Sequence, residues 1–156
     1  MKKIIPLLLV LIAAYFSYQN NQPEADSVSR IPGSTSSSLA SREQVSQDAL
    51  IADAFRKQQS NISVTLNGTV IALLSDDNDG SRHQRFIIKL ASGQTLLVAH
   101  NIDLAGRVEN LKPGDSVSLR GEYEWNNKGG VLHWTHHDPS QRHETGWIRH
   151  EGHTYQ

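Results

Sequence analysis

Two periodicities run along the chain. From Ile62 to Leu74 every second residue is apolar or glycine (Ile62, Val64, Leu66, Gly68, Val70, Ala72, Leu74), with mostly polar residues between. Such alternation predicts a long half-buried β-strand. Gly68, with no side chain to pack, predicts a bulge or sharp bend in its middle. A second strand is expected from His83 to Leu90, with Phe86, Ile88 and Leu90 inward and His83, Arg85 and Lys89 outward. Ser92-Gly93 turns the chain into a third strand, Gln94 to His100. The most regular alternation spans Ser116 to Trp125. Val117, Leu119, Gly121, Tyr123 and Trp125 face one way, and Ser118, Arg120, Glu122 and Glu124 the other. Asn126 to Gly130 then predicts a hairpin loop leading to a fifth strand, Val131 to His136.

The segments between are punctuated by turn chemistry. Asp76 to Gly80 is an acidic loop, and Lys112-Pro113-Gly114-Asp115 has Pro and Gly at the central positions of a type II turn. Asn101 to Leu111 is expected as a short helix or irregular crossover. Ahead of the strands the period changes from two to 3.6. Ser41 and Gln44 have capping-box spacing, and Val45, Ala49, Ala52 and Phe55 follow at helical intervals, predicting an amphipathic helix from Arg42 to Gln59. Three strands, a connector and a hairpin, with a long bent first strand, match the layout of an OB-fold. The expected class is therefore mainly β: a small OB-fold-like five-stranded barrel with a short helix. Another small β-barrel or sandwich is the alternative.

The extreme N-terminus belongs to none of this. Lys2 and Lys3 precede an apolar run from Ile4 to Phe16, the n- and h-regions of a secretory signal. The run is shorter than the roughly 20 residues of a comfortable membrane span. Aromatic Tyr15, Phe16 and Tyr18 stand where a cleavage site would need small residues, so residues 1–18 read as either a signal peptide or an uncleaved signal anchor. Residues 19–40, rich in Ser, Asn and Pro, read as a disordered tether. Residues 41–60 follow as the helix and 61–156 as the β-domain. The implied location is extracytoplasmic: periplasmic, anchored in the inner membrane facing the periplasm, or secreted.

The chain has no cysteine, which excludes disulfides, thiolate metal ligands and a lipoprotein anchor. From Ser60 onward nine Lys and Arg face eleven Asp and Glu, which argues against nucleic acid as a partner at neutral pH. All eight histidines lie beyond residue 82, so acidification would turn the domain cationic.

Three constellations are candidates for chemistry. The densest is C-terminal: His133, His136, His137, Asp138 and His143, followed by His150 and His153. Imidazole and carboxylate suit zinc or another divalent transition metal, and Pro139 offers a turn that folds His143 back. If the hairpin register places Glu122 opposite His133, the two form an acid/base pair or a cross-strand ion pair. The second is the polar face of the middle strands, Arg82, His83, Arg85, Lys89 and His100, with Trp125 at the following loop. Cations and an aromatic there suit an anionic, nucleotide-like or sugar ligand. The third, Asp76 to Gly80, has calcium-loop character, but Phe86 stands where an EF-hand requires Glu, so an acidic solvated turn is the better reading.

From Gly68 to Tyr155 the chain resembles an uncharacterised bacterial family, a domain of unknown function. The resemblance is carried by Arg82-His83-Gln84-Arg85-Phe86, by His100 to Ala105, by Gly121 to Asn126, and by Gly129 to Pro139 with Gly146-Trp147-Ile148 after it. It implies no activity. More distantly, the signal-plus-OB layout is similar to small periplasmic OB-fold proteins and secreted thermonucleases, although the nuclease Asp, Glu and Arg pattern is not matched. The first functional expectation is a non-enzymatic, envelope-facing binding module for a small, anionic or oligomeric ligand. A metal-dependent hydrolase, phosphodiesterase or nuclease-like, built on the C-terminal histidines is the second. A structural envelope protein is the third.

Overall fold

A computed structural model of the chain describes residues 35–156, so the signal segment and the tether up to residue 34 lie outside the described residues. Helix α1 spans Thr35–Lys57 and is followed by strands β1 (Ile62–Asp77), β2 (His83–Lys89), β3 (Thr95–Asn101), β4 (Ser116–Glu124), β5 (Val131–His133), β6 (Trp147–His150) and β7 (His153–Tyr155). The protein is mainly β: one seven-stranded sheet of order β1-β2-β3-β5-β4-β6-β7, with one helix among the described residues.

The alternating residues pair as their pattern demands. The first half of β1 runs antiparallel to β4 from Ile62↔Tyr123 to Thr69↔Ser116, and its second half antiparallel to β2 from Thr69↔Lys89 to Asp77↔His83. Thr69 is where β1 exchanges one neighbour for the other. β2 continues antiparallel into β3, β3 runs parallel to β5 through Leu97↔Val131 and Val98↔Leu132, and β5 returns antiparallel to β4. The buried side chains of these strands (Val64, Leu66, Val70, Phe86, Ile88, Val98, Leu119, Tyr123 and Leu132 among them) form one cluster. Burial of that apolar surface is the main stabilising term.

Several expectations are corrected. The register shifts in β1 fall between Val70 and Ala72 and between Leu74 and Asp77, not at Gly68. Gly68 answers a different need, because a Cβ there would sit 3.1 Å from Ile88 Cδ1. Trp125 lies just past β4, and β5 stops at His133 rather than His136. Residues 102–115 contain turns and no helix; the expected type II turn is present, with Gly114 at φ 99° and the Asp115 N–H donating to the Lys112 carbonyl at 3.2 Å. Strands β6 and β7 were not expected; β6 covers the edge of β4 at Ser118–Arg120 that β5 leaves open.

The helix differs most. It begins at Thr35, so Ser41 lies inside it. Val45 is 68% exposed and Ala49 is also exposed, whereas Ile51 and Ala54 are fully buried in the core. The buried face starts polar. The Asp48 carboxylate accepts from the Ser92 N–H (3.0 Å) and from Gln44 Nε2 (2.7 Å), while Gln44 Oε1 accepts from the Asn67 backbone N–H at 3.2 Å. Apolar periodicity misses such a face because half of its docking is hydrogen bonding to strand and turn backbone. Trp125 completes the attachment, its indole N–H donating to the Phe55 carbonyl at 3.1 Å and its backbone N–H to Ser60 Oγ at 2.9 Å.

Candidate functional site

The outer face of the β4–β5 hairpin gathers the ligand chemistry. Residues two apart on a strand share a face, which puts Glu122 and Glu124 side by side. The pairing Glu122↔His133 brings His133 in from β5 on the same side. One ligand atom from each of Glu122, Glu124 and His133 lies within 4.8 Å of the others. His133 Nε2 stands 4.0 Å from Glu122 Oε1 and 3.9 Å from Glu124 Oε1, beyond hydrogen-bond reach. That nitrogen is buried without a hydrogen-bond partner, a condition shared among the described residues only with Gln47 Oε1. Burial holds the His133 imidazole below its usual pKa, and the two glutamates only partly counter this. The ring is therefore neutral near pH 7, the form that binds metals.

A folded-back loop supplies the next layer. After β5 the chain turns at Trp134, with φ 52°, and runs to Gly146, whose N–H donates to the His136 carbonyl at 3.0 Å. Asp138 organises the loop: its carboxylate accepts from the backbone N–H groups of Ser140 (2.8 Å), Arg142 (2.7 Å) and His143 (3.1 Å). These bonds, the Ser140 N–H foremost, lower the Asp138 pKa. The loop returns His143 to the hairpin, where its ring stacks on Trp134 (centroids 3.9 Å apart, planes 16° apart) and its Nδ1 lies 3.1 Å from Glu122 Oε2. Glu122 thus faces His133 with one oxygen and His143 with the other, an arrangement that orients a metal-ligating carboxylate. A cleft of about 210 Å³ opens beside it, lined in part by Arg120, Arg142, Trp134 and Glu144. Arg120 is held by Glu144, which also accepts from the Ser63 hydroxyl at 3.0 Å.

The candidate metal residues therefore separate. His133 and His143 converge on Glu122, and the conditional Glu122–His133 register is the observed one. His136 is buried with Nδ1 2.8 Å from the His137 carbonyl, His137 is exposed with Nδ1 3.4 Å from Thr145 Oγ1, and Asp138 serves the loop backbone. Glu124 joins the cluster although sequence reasoning assigned it only to the outward face. The hairpin count could have found it, because once Glu122 pairs with His133, residue 124 must share their side.

The second candidate set also disperses. Arg82 pairs with Asp103 at 2.7 Å, Arg85 donates to the Ser75 carbonyl at 2.9 Å with Asp77 3.7 Å away, and His83 Nδ1 lies 2.8 Å from the Ser81 carbonyl. His100 is fully buried rather than on the outer face. Its Nε2–H donates to the Gly106 carbonyl at 3.0 Å, leaving Nδ1 to accept from the Thr135 hydroxyl at 2.8 Å. Burial pulls its pKa down from 6.5 to about 4. Trp125 fastens the helix, and Lys89 alone of the set reaches a groove, described below. In the acidic loop Asp76 pairs with Arg107, and Asp77 accepts from the Asp79 N–H at 3.1 Å, as expected of a solvated turn.

Fold and site together define a mainly β domain carrying a carboxylate–imidazole cluster on a hairpin face. The family model described as "Protein of unknown function (DUF3465)" matches residues 34–156, and the chain belongs to that family. No curated protein sequence matches the chain.

Proposed function

We propose that this chain is an exported, envelope-facing binding module built on an OB-fold-like five-stranded barrel, and that Glu122, Glu124 and His133 hold a divalent transition metal. The barrel reading is supported by a pairing order, β1-β2-β3-β5-β4, that comes back to β1 through the β1–β4 pairing. Export is supported by Lys2-Lys3 and the apolar run behind them. Among the described residues no helix is long and apolar enough to cross a membrane.

The observation that carries the metal reading is the partnerless His133 Nε2 between two carboxylates. A buried polar atom without a partner costs free energy that coordination would recover. Bonds of about 2.0–2.2 Å in a tetrahedral site separate ligand atoms by roughly 3.3–3.6 Å, so the His133–Glu122 and His133–Glu124 distances of 4.0 and 3.9 Å would contract by roughly 0.3–0.7 Å on binding. Native mass spectrometry of the untagged chain titrated with zinc, nickel and manganese tests this. One ion per chain is expected, weakened by roughly tenfold or more in His133→Ala and Glu122→Gln and unchanged in His137→Ala. An apo mass that near-stoichiometric metal leaves unaltered refutes it.

The second reading, a metal-dependent hydrolase of phosphodiesters, draws on one feature. Three protein ligands leave coordination positions open, and the cleft beside them carries Arg142, suited to an anionic substrate. Metal-dependent turnover of a chromogenic phosphodiester, lost in His133→Ala, would place the chain in that class; absence of turnover by the metal-loaded chain leaves the binding module.

A further inference from the structure

At Thr69, where β1 changes partner, the strand ends around it leave a groove of about 580 Å³ on the outer face, a size suited to a small molecule. Its floor is two cross-strand rows. Lys89, Thr69 and Ser116 form one, and Asn67, Ser118 and Arg149 the other. All six line the groove. Hydroxyls and an amide thus occupy the middle and a cation stands at each end. The β6–β7 turn and Gln44 of α1 form rims.

Lys89 and Arg149 are the cations that line this groove. Arg56, Lys57, Arg82, Arg85, Arg107 and Arg120 each meet an Asp or Glu. Lys89 and Arg149 meet none among the described residues, a condition they share with Arg42, Lys112, Lys128 and Arg142. Arg149 instead lies over the Trp147 ring at 4.2 Å, which fixes its guanidinium without neutralising it. The acidic groups nearby are Glu151 on the rim and Asp115, which is engaged by His150 Nε2 at 2.9 Å and by the Lys112 N–H. Two cations are too few for nucleic acid, whose binding rests on many phosphate contacts.

We infer that this groove binds a small hydroxylated oxyanion, a phosphorylated or carboxylated sugar, with the cation at one end, Lys89 or Arg149, pairing the oxyanion and the Thr69–Ser116 and Asn67–Ser118 rows bonding its hydroxyls. A charge-assisted bond to the guanidinium or the ammonium supplies affinity, and neutral hydroxyl contacts supply orientation. The site is separate from the Glu122 cluster and needs no metal.

The test is a two-dimensional NMR titration of the full chain, with a chelator present so that the metal reading plays no part. Glucose 6-phosphate, glucuronate and glucose serve as probes. Saturable shifts at Lys89, Ser116 and Arg149 are expected with the phosphate or the carboxylate at about millimolar concentration, and not with glucose. The phosphate and carboxylate arms decide which oxyanion is preferred. Of Lys89→Gln and Arg149→Gln, both exposed and checked for fold by the unperturbed remainder of the spectrum, the one that removes the pairing cation weakens binding roughly tenfold. Arg82→Gln leaves it unchanged. The inference is overturned if neither anion binds, if glucose binds equally well, if the shifts fall elsewhere, or if both groove variants bind as the parent does.

Discussion

His100 makes the domain acid-sensitive between the ordinary imidazole value of 6.5 and its folded value of about 4. The folded state holds the imidazole neutral, with a pKa lowered from 6.5 to about 4, first by burial and further by the charges of His136 and His83, while the Gly106 and Thr135 contacts oppose the shift. A group whose folded pKa is depressed binds more protons when unfolded, so the stability it contributes is complete above the unfolded pKa and falls as pH drops toward the folded one. At about pH 5 the unfolded imidazole is protonated by roughly thirty to one and the native one hardly at all, a loss of ~2 kcal/mol relative to pH 7.5. Below pH 4 the loss levels off at ~3 kcal/mol. The carboxyls of Asp103, Asp115, Asp138 and Glu144 are all held below their usual values by the hydrogen bonds they accept. His133, also lowered by burial, acts in the same direction. Urea denaturation at about pH 7.5 and 5 therefore compares the parent with His100→Gln, whose amide N–H₂ can replace the donor to Gly106. The parent is expected to lose ~2 kcal/mol more than the variant over that interval, whatever the variant's absolute stability. Equal losses in both proteins refute the reasoning, as does an imidazole signal for His100 that titrates near 6.5 in the folded chain.

The helix gives a second prediction. Ile51→Ala empties a fully buried position and should cost about 2–4 kcal/mol in urea denaturation, whereas Val45→Ala, 68% exposed, should change stability by less than about 0.5 kcal/mol. The hairpin loop gives a third. Gly130 sits at φ 102° with its missing Cβ directed into the Tyr123 ring, so Gly130→Ala should destabilise by ~3 kcal/mol or more, while Gly80→Ala, in open space at φ 76°, should cost only about 1 kcal/mol.

Much of this protein was legible before any coordinates. Period-two alternation located β1, β2 and β4, because a side chain's direction along a strand follows from local geometry alone, and the Ser92-Gly93 turn placed β3. The Pro113-Gly114 turn and the Gly129-Gly130 loop were legible because glycine populates positive φ at little cost. The Glu122↔His133 register could be stated as a condition, since a hairpin loop of known length leaves few registers. What tertiary structure alone decided is where polar side chains went. His100 and His133 belong to the same residue type and both lie on strands, yet one is locked in the core by Gly106 and Thr135 and the other left without a partner beside two glutamates. Arg82 and Lys89 flank one strand, yet only Arg82 finds a carboxylate, Asp103, 21 residues away. Strands β6 and β7 exist because β5 is too short to cover β4. Hydrophobic burial is non-directional and leaves a periodic trace in sequence, whereas a hydrogen bond or ion pair depends on partners distant in the chain and brought within about 3 Å only by the fold.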